Sequence, residues 1–156
     1  MRSGSKISYK KPPEIETGSG KINLLIVSPL DADYTTLQQI LSPNQWVLSR
    51  AKDLRSALTQ LRTVRGRFPL VLCECDLSPD TWKELLEDAP LLIVASRFAD
   101  ERLWAEALNV GAYDVLAKPF EPEEVKRVLT SAWVRTPGGA LAPQLDRHQT
   151  TVAAIA

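Results

Sequence analysis

Short apolar runs alternate along the chain with longer segments whose apolar residues recur at helical spacing. The runs predict five strands, at residues 22–27, 46–49, 70–75, 91–95 and 113–116. The intervening segments predict five helices, which begin near residues 31, 54, 81, 100 and 122. This alternation is typical of the doubly wound α/β class, in which a parallel sheet is covered by helices on both faces.

Several helix boundaries carry their own local signals. Asp53 is a candidate N-cap of the second helix, and Pro122 lies in the first turn of the fifth. Pro43, Gly66 and Gly111 follow the first, second and fourth helices, where residues of these types end a helix. These signals support the alternation as a set of real element boundaries.

The two ends of the chain differ in composition from its centre. Residues 1–20 are rich in Ser, Gly, Lys and Pro, and residues 135–156 contain Pro-Gly-Gly near their start and show no regular period. We therefore expect one domain at residues 21–134, between a flexible N-terminal tail and a flexible C-terminal tail.

Charge and hydropathy exclude several classes of function. The 19 basic and 19 acidic residues balance, so nothing indicates direct binding to nucleic acid or to an anionic membrane. No apolar run approaches the roughly 18 residues of a membrane-spanning helix, and the polar start lacks the apolar core of a secretory signal. We expect a cytoplasmic protein.

The candidates for metal or nucleophilic chemistry are few. Cys73 and Cys75 lie in an apolar run, and the single histidine, His148, lies far away in the C-terminal tail. Two cysteines so close on one strand are poorly placed for a disulfide, and no further metal ligands lie nearby. We expect buried, inert thiols, no metal site and no enzyme activity.

Ligands of open parallel sheets bind beyond the carboxyl ends of the strands. The residues at these ends are Ser28 and Pro29, Glu74, Ser96, and Lys118 with Pro119. The surrounding sequence resembles the receiver domain of response regulators in the segments LIVAS (92–96), GAYDVL (111–116) and AKPF (117–120).

The resemblance implies a flavodoxin-like sheet of order 2-1-3-4-5 and a role in two-component signalling. In that family an aspartate ending strand three accepts a phosphoryl group, and an acidic pair after strand one holds magnesium. A Ser or Thr after strand four and a Lys after strand five grip the phosphoryl group. The bond from that Lys to the following Pro is typically cis.

Three positions match this pattern and the others do not. Ser96, Lys118 and Pro119 are as the resemblance requires. Ser28 and Pro29 stand where the acidic pair belongs, and neither supplies the carboxylate oxygens that magnesium prefers. The nearby Asp31 and Asp33 fall at the start of helix one, where carboxylates are expected as caps. We therefore expect magnesium binding to be lost or weak.

An ungapped alignment places Glu74 at the phosphoacceptor position, with Asp76 as the alternative if the register shifts. The longer Glu74 side chain would reach toward Lys118 and Ser96. Glu74 then either mimics the phosphorylated form or forms a plain structural ion pair with Lys118.

The family signals through helix four, strand five and helix five. Val115 replaces the aromatic switch residue three positions before the lysine. Trp104 on helix four, Val115 on strand five and Trp133 on helix five are candidate interface residues, although the two tryptophans could instead pack against the domain.

The sequence thus predicts a stand-alone, degenerate receiver that acts by protein–protein interaction without phosphorylation. Its expected partners are a histidine kinase or a downstream regulator, with a possible homodimer through helix four, strand five and helix five. The alternatives are a working phosphoacceptor that uses Glu74 or Asp76 and, more remotely, a small-molecule-binding flavodoxin-like domain.

Overall fold

A five-stranded parallel sheet forms the centre of the molecule, with the strand order β2-β1-β3-β4-β5. The computed structural model describes residues 20–76 and 81–140. The strands are β1 (Ile22–Val27), β2 (Trp46–Ala51), β3 (Leu70–Glu74), β4 (Leu91–Ser96) and β5 (Asp114–Ala117). The helices are α1 (Asp31–Ile40), α2 (Leu54–Thr63), α3 (Thr81–Glu87), α4 (Glu101–Val110), α5 (Pro122–Arg135) and α6 (Pro137–Ala140). The doubly wound class and the strand order are both confirmed.

Two apolar cores, one on each face of the sheet, hold the helices in place. Helices α1 and α5 pack on one face, where Leu37 meets Val125 and its neighbours. Helices α2, α3 and α4 cover the other face through residues such as Leu61, Trp82 and Ala107. Strands β1 and β3 are buried along their whole length, as expected for strands that are apolar on both sides.

Most helix boundaries lie where the sequence placed them. The Asp53 carboxylate accepts a hydrogen bond from the Ser56 N–H and caps α2, while Asp100 caps α4 through the Leu103 N–H. Helix α4 ends at Gly111, whose left-handed φ of 118° favours glycine.

Four strands and one helix differ in detail from the sequence prediction. Strand β3 ends at Glu74 rather than at residue 75, and β2, β4 and β5 extend one or two residues further than predicted. The third helix is a 3₁₀ helix, and it spans seven residues. Over so few residues, α and 3₁₀ helices place similar sets of side chains toward the core, so the sequence does not separate them.

The predicted flexible C-terminal tail is ordered at its start. Thr136 is buried, and Pro137–Ala140 form a short helical turn, α6, which packs against the end of α5. The prediction was wrong here because glycines read as a flexible linker can instead permit close packing. The remainder of both predicted tails, residues 1–19 and 141–156, lies outside the described residues.

Within residues 20–76 and 81–140, none of the helices combines the length and the apolar character needed to cross a membrane.

Candidate functional site

The carboxyl ends of the five parallel strands converge at one edge of the sheet. Glu74 ends β3 and pairs in register with Ala95, and Ser96 ends β4 and pairs with Ala117. Ser28 follows β1, and Lys118 follows β5. The topology therefore brings the polar residues predicted from strand ends into one region.

Lys118 lies at the centre of an ion network. Its Nζ donates to Asp33 Oδ2 at 3.0 Å and lies 3.5 Å from Glu74 Oε2. The side chains of Lys118, Asp33 and Glu74 are only 7%, 11% and 2% exposed. The contact expected between Glu74 and Lys118 is present, and Asp33 is a second carboxylate that shares the same ammonium. The Lys118–Pro119 peptide bond is cis, as the resemblance implies.

Asp33 does not cap helix α1, contrary to expectation. The N-cap residue is Leu30, which makes no side-chain cap hydrogen bond. The buried Asp33 carboxylate instead accepts a hydrogen bond from Ser28 Oγ at 2.7 Å, in addition to the one from Lys118. A buried carboxylate gains more from an ammonium and a hydroxyl than from helix-end N–H groups that water can reach.

A guanidinium occupies the outer side of the β1 end. Arg50 Nε and Nη2 donate to the Ser28 carbonyl oxygen at 3.3 and 3.1 Å, and Nη1 donates to Asp31 Oδ1 at 2.5 Å. The hydrogen bond and charge of Arg50 lower the pKa of Asp31 from its usual value. Asp31 is therefore an ion-pair partner, which also differs from its predicted role as a cap.

Asp76 contacts Ser96, the other residue that matches the phosphoryl-gripping pattern of the family. Ser96 Oγ donates to Asp76 Oδ1 at 2.5 Å, and the Arg97 N–H donates to Asp76 Oδ2 at 2.8 Å. Burial raises the pKa of Asp76, but the hydrogen bonds from Ser96 and Arg97 outweigh it and hold the pKa below its usual value. The single hydroxyl hydrogen of Ser96 is thus committed to Asp76 rather than to Glu74, whose reach toward Ser96 was predicted.

Glu74 and Asp76 are also linked to each other. The Asp76 N–H donates to Glu74 Oε2 at 2.9 Å, so the β3 end and the loop that follows it form one hydrogen-bonded unit. Cys75, between them, is buried, and burial raises the pKa of its thiol to about 11. Cys73 is also buried with a raised pKa, so neither free thiol has the thiolate character of a nucleophile.

A cavity of about 550 Å³ opens beside this network. Asp33, Glu74, Arg97 and Lys118 contribute charged groups to its lining, and Phe120 contributes an aromatic ring. In the part of the chain that the structure describes, no three His, Cys, Asp or Glu side chains are grouped so that they could hold a metal ion.

The three candidate interface residues lie in different environments. Trp104 is 43% exposed on α4, next to the similarly exposed Leu108 one turn later. Val115 is buried in the core, so it cannot contact a partner and its assignment to a surface was wrong. Trp133 is half-buried, packs against the core beside α5 and lines a cavity at the opposite end of the sheet.

Comparison with known proteins agrees with this geometry. No family model matches the chain. The transcriptional regulatory protein ZraR of Salmonella typhimurium is 30% identical over 123 residues, which make up 75% of this chain and 27% of ZraR. The chain therefore spans about a quarter of the length of the curated relatives that it matches.

The chain is also similar to solved structures. The signal receiver domain of an HD domain-containing protein from Pseudomonas fluorescens Pf-5 is 29% identical, with a TM-score of 0.61, over 72% of this chain and 94% of that domain. The chain contains a response-regulator receiver domain. A putative response regulator from Chloroflexus aurantiacus, 24% identical, shares the fold with a TM-score of 0.64, over 74% of this chain and 99% of its own.

Receiver domains serve two-component signalling, where they interact with histidine kinases and downstream effectors. In this receiver domain, the sequence did not predict the site roles of Asp33, Arg50 and Arg97. A signal existed for Asp33, which precedes the core-facing Leu37 by four residues and so lies on the same face of α1. Nothing in the local sequence indicated Arg50, whose contacts join β2 to the end of β1.

Proposed function

We propose that this receiver domain works without a phosphoryl group and acts as a protein-binding module in two-component signalling. One observation carries the proposal: both side chains that grip the phosphoryl group in the family already contact carboxylates of the chain itself. Lys118 contacts Asp33 and Glu74, and Ser96 contacts Asp76.

Magnesium binding is lost in this proposal because the residues at the β1 end do not fit the ion. Pro29 has no side-chain oxygen, and the Ser28 hydroxyl donates to Asp33 and accepts from the Leu30 N–H. The Ser28 carbonyl oxygen already accepts from the Arg50 guanidinium. A divalent cation would have to approach two fixed positive charges, those of Arg50 and Lys118. Phosphoryl transfer to a carboxylate then lacks its main electrostatic support.

The internal carboxylates take over part of the work of a phosphoryl group. Asp76 supplies the acceptor for Ser96 and the Arg97 N–H, and Glu74 supplies negative charge beside Lys118. Mimicry of the phosphorylated form is thus divided between two side chains, whereas the sequence suggested Glu74 alone. The β4 end is held in one arrangement at all times, so the domain does not need a phosphorylation switch.

The partner surface includes the exposed part of α4. Trp104 and Leu108 are large apolar residues one turn apart, 43% and 39% exposed. Aromatic residues of this kind anchor protein interfaces. The proposed partners are a histidine kinase or a downstream regulator, and a homodimer through α4, β5 and α5 uses the same surface.

The test is exposure of the full chain to acetyl phosphate or to beryllofluoride, each with magnesium at millimolar concentration. We expect no increase in mass after acetyl phosphate and no change in the amide resonances of Ser96, Arg97 and Lys118 after beryllofluoride. The variant Ser28→Asp/Pro29→Asp/Glu74→Asp restores the family's carboxylates and is the matched control.

An adduct on the wild-type chain would overturn the proposal. Peptide mass spectrometry would then place the phosphoryl group on Glu74 or on Asp76 and so identify a working phosphoacceptor. Capture of a partner from the native cell, compared between wild type and Asp76→Asn, tests the mimicry separately. Equal recovery by both proteins would contradict a role for Asp76 in it.

A further inference from the structure

A second cavity, of about 410 Å³, lies at the amino ends of the strands. This is the end of the sheet away from Ser96 and Lys118, so the cavity is separate from the site described above. Its lining includes Ile22 and Asn23 of β1 and the two prolines, Pro69 and Pro90, that directly precede β3 and β4. The volume lies within the range of about 300–1,000 Å³ that small-molecule pockets occupy.

The C-terminal turn forms one fixed wall of this cavity. Thr136 Oγ1 donates to the Trp133 carbonyl oxygen at 2.7 Å and accepts from the Gly139 N–H at 3.0 Å. A Cβ on Gly138 would lie 2.6 Å from the Trp133 ring, and one on Gly139 would lie 1.8 Å from the Trp133 carbonyl oxygen. The turn thus packs against Trp133 more closely than any other residue type would permit, and the cavity has a defined shape.

Among residues 20–76 and 81–140, the charged residues that line the cavity are both positive. They are Lys21 and Arg67, and no Asp or Glu within these ranges lines it. The apolar part of the lining is provided by Ile22, by prolines and by the half-buried Trp133. This combination fits a ligand with a planar apolar body and one negative group.

We propose that this cavity binds a small aromatic carboxylate. The aromatic body lies against Trp133, and the carboxylate is held by Arg67 and Lys21. Such a ligand gives the domain an input other than phosphorylation, because it contacts both the β1 start and the turn that follows α5. The inference does not depend on the proposed function, since it uses none of the residues at the carboxyl edge of the sheet.

The probe for the test is 2-naphthoate, titrated into the full ¹⁵N-labelled chain. We expect shifts of the Trp133 indole N–H and of the Gly66 and Gly138 amides, with saturation at a dissociation constant of about 1 mM or tighter. The signals of Ser96 and Arg97, at the carboxyl edge of the sheet and outside the cavity lining, should not move. The uncharged 2-naphthamide, similar in shape, should bind at least about fivefold more weakly.

Two arginine variants provide the matched comparison. Arg67→Met should weaken 2-naphthoate binding by at least about fivefold and leave 2-naphthamide binding unchanged. Arg65→Met, two residues away and paired with Asp88 outside the cavity, should leave both unchanged. Equal binding of the two probes would overturn the proposal. So would shifts confined to other regions, or no shift of the cavity signals at millimolar 2-naphthoate.

Discussion

Lys118 shows how a buried charge depends on its partners. The ammonium and the two carboxylates of Asp33 and Glu74 are almost inaccessible to water. Burial of each charge costs several kcal/mol, and the attraction among them offsets that cost only while the set is complete. The complete network therefore adds little to the free energy of unfolding, but removal of one of its three charged groups should lower that free energy strongly.

Lys118→Met leaves two buried carboxylates without the shared ammonium. We expect the free energy of unfolding to fall by about 3 kcal/mol, measured by urea denaturation. Lys83→Met, which removes the lysine of a surface pair with Glu106, should cost about 1 kcal/mol or less. Asp33→Asn/Glu74→Gln/Lys118→Met should recover much of the loss. A cost for Lys118→Met no larger than that for Lys83→Met would contradict the network.

The residues of the site differ in how far the sequence could predict them. Glu74 and Ser96 end strands and Lys118 follows one, and the apolar runs of those strands are clear enough to place all three residues at one edge. The frequency of acidic residues in first turns predicts that Asp33 caps α1, although its spacing from Leu37 also indicates the core-facing side of that helix. The partner of Ser96 depended on the path of the loop after β3, which no periodic pattern describes.

At the scale of elements, α4 combines a well-defined structure with an exposed apolar surface. Asp100 and Gly111 fix its two ends, so its stability does not require the exposed Trp104. Large apolar side chains that contribute little to folding are candidates for binding.

Trp104→Glu should abolish the proposed homodimer and leave the free energy of unfolding of the monomer within about 0.5 kcal/mol. Light scattering after size exclusion measures the mass, and we expect the wild type to be dimeric at a concentration where Trp104→Glu is monomeric. Val47→Glu is the control, because Val47 is 36% exposed on β2, the opposite edge strand. A monomeric wild type at every concentration, or an equal effect of Val47→Glu, would refute this interface.

The C-terminal turn α6 allows a second prediction at this scale. Gly139→Ala places a methyl group where the Trp133 carbonyl oxygen stands, so the turn should open. We expect the residue 139 amide to lose hydrogen-exchange protection and the Trp133 indole N–H resonance to shift. The free energy of unfolding should fall by about 1–2 kcal/mol because the rest of the core is untouched. Pro137→Ala, at an exposed position in the same turn, should leave both signals near those of the wild type. Retained protection in Gly139→Ala would show that the turn does not depend on glycine there.

For the whole molecule, the sequence predicts the fold more completely than it predicts the contacts among the charged residues of the site. Strands with apolar residues on both faces are compatible with few arrangements other than a parallel sheet that is covered by helices on each face. The charges at the carboxyl edge are different, because their contacts join β1, β2, β3, β4 and β5 across long sequence separations. Only folding selects one pairing among several that the composition allows.

The carboxylates with lowered pKa values also determine how the whole molecule responds to acid. Asp76 owes its lowered pKa to the hydrogen bonds from Ser96 and Arg97, which outweigh burial, and Asp31 owes its lowered pKa to Arg50. A carboxylate whose pKa is lower in the folded state binds a proton more readily after unfolding. Its stabilising contribution is therefore complete above its unfolded pKa of about 4 and is lost as the pH falls through the folded value.

We therefore expect the free energy of unfolding, measured by urea denaturation, to decline as the pH falls from about 5 to about 2. Asp76→Asn should lower it by about 1–2 kcal/mol at neutral pH, and the difference from wild type should shrink below about pH 4. High salt should leave most of this difference, because the Asp76 side chain is only 9% exposed, whereas it should screen the contribution of Asp31, which is 86% exposed. If the difference in the free energy of unfolding between wild type and Asp76→Asn stayed constant down to about pH 2, the Asp76 charge would not stabilise the β4 end. Protonation of Asp76 would then have no effect on that difference.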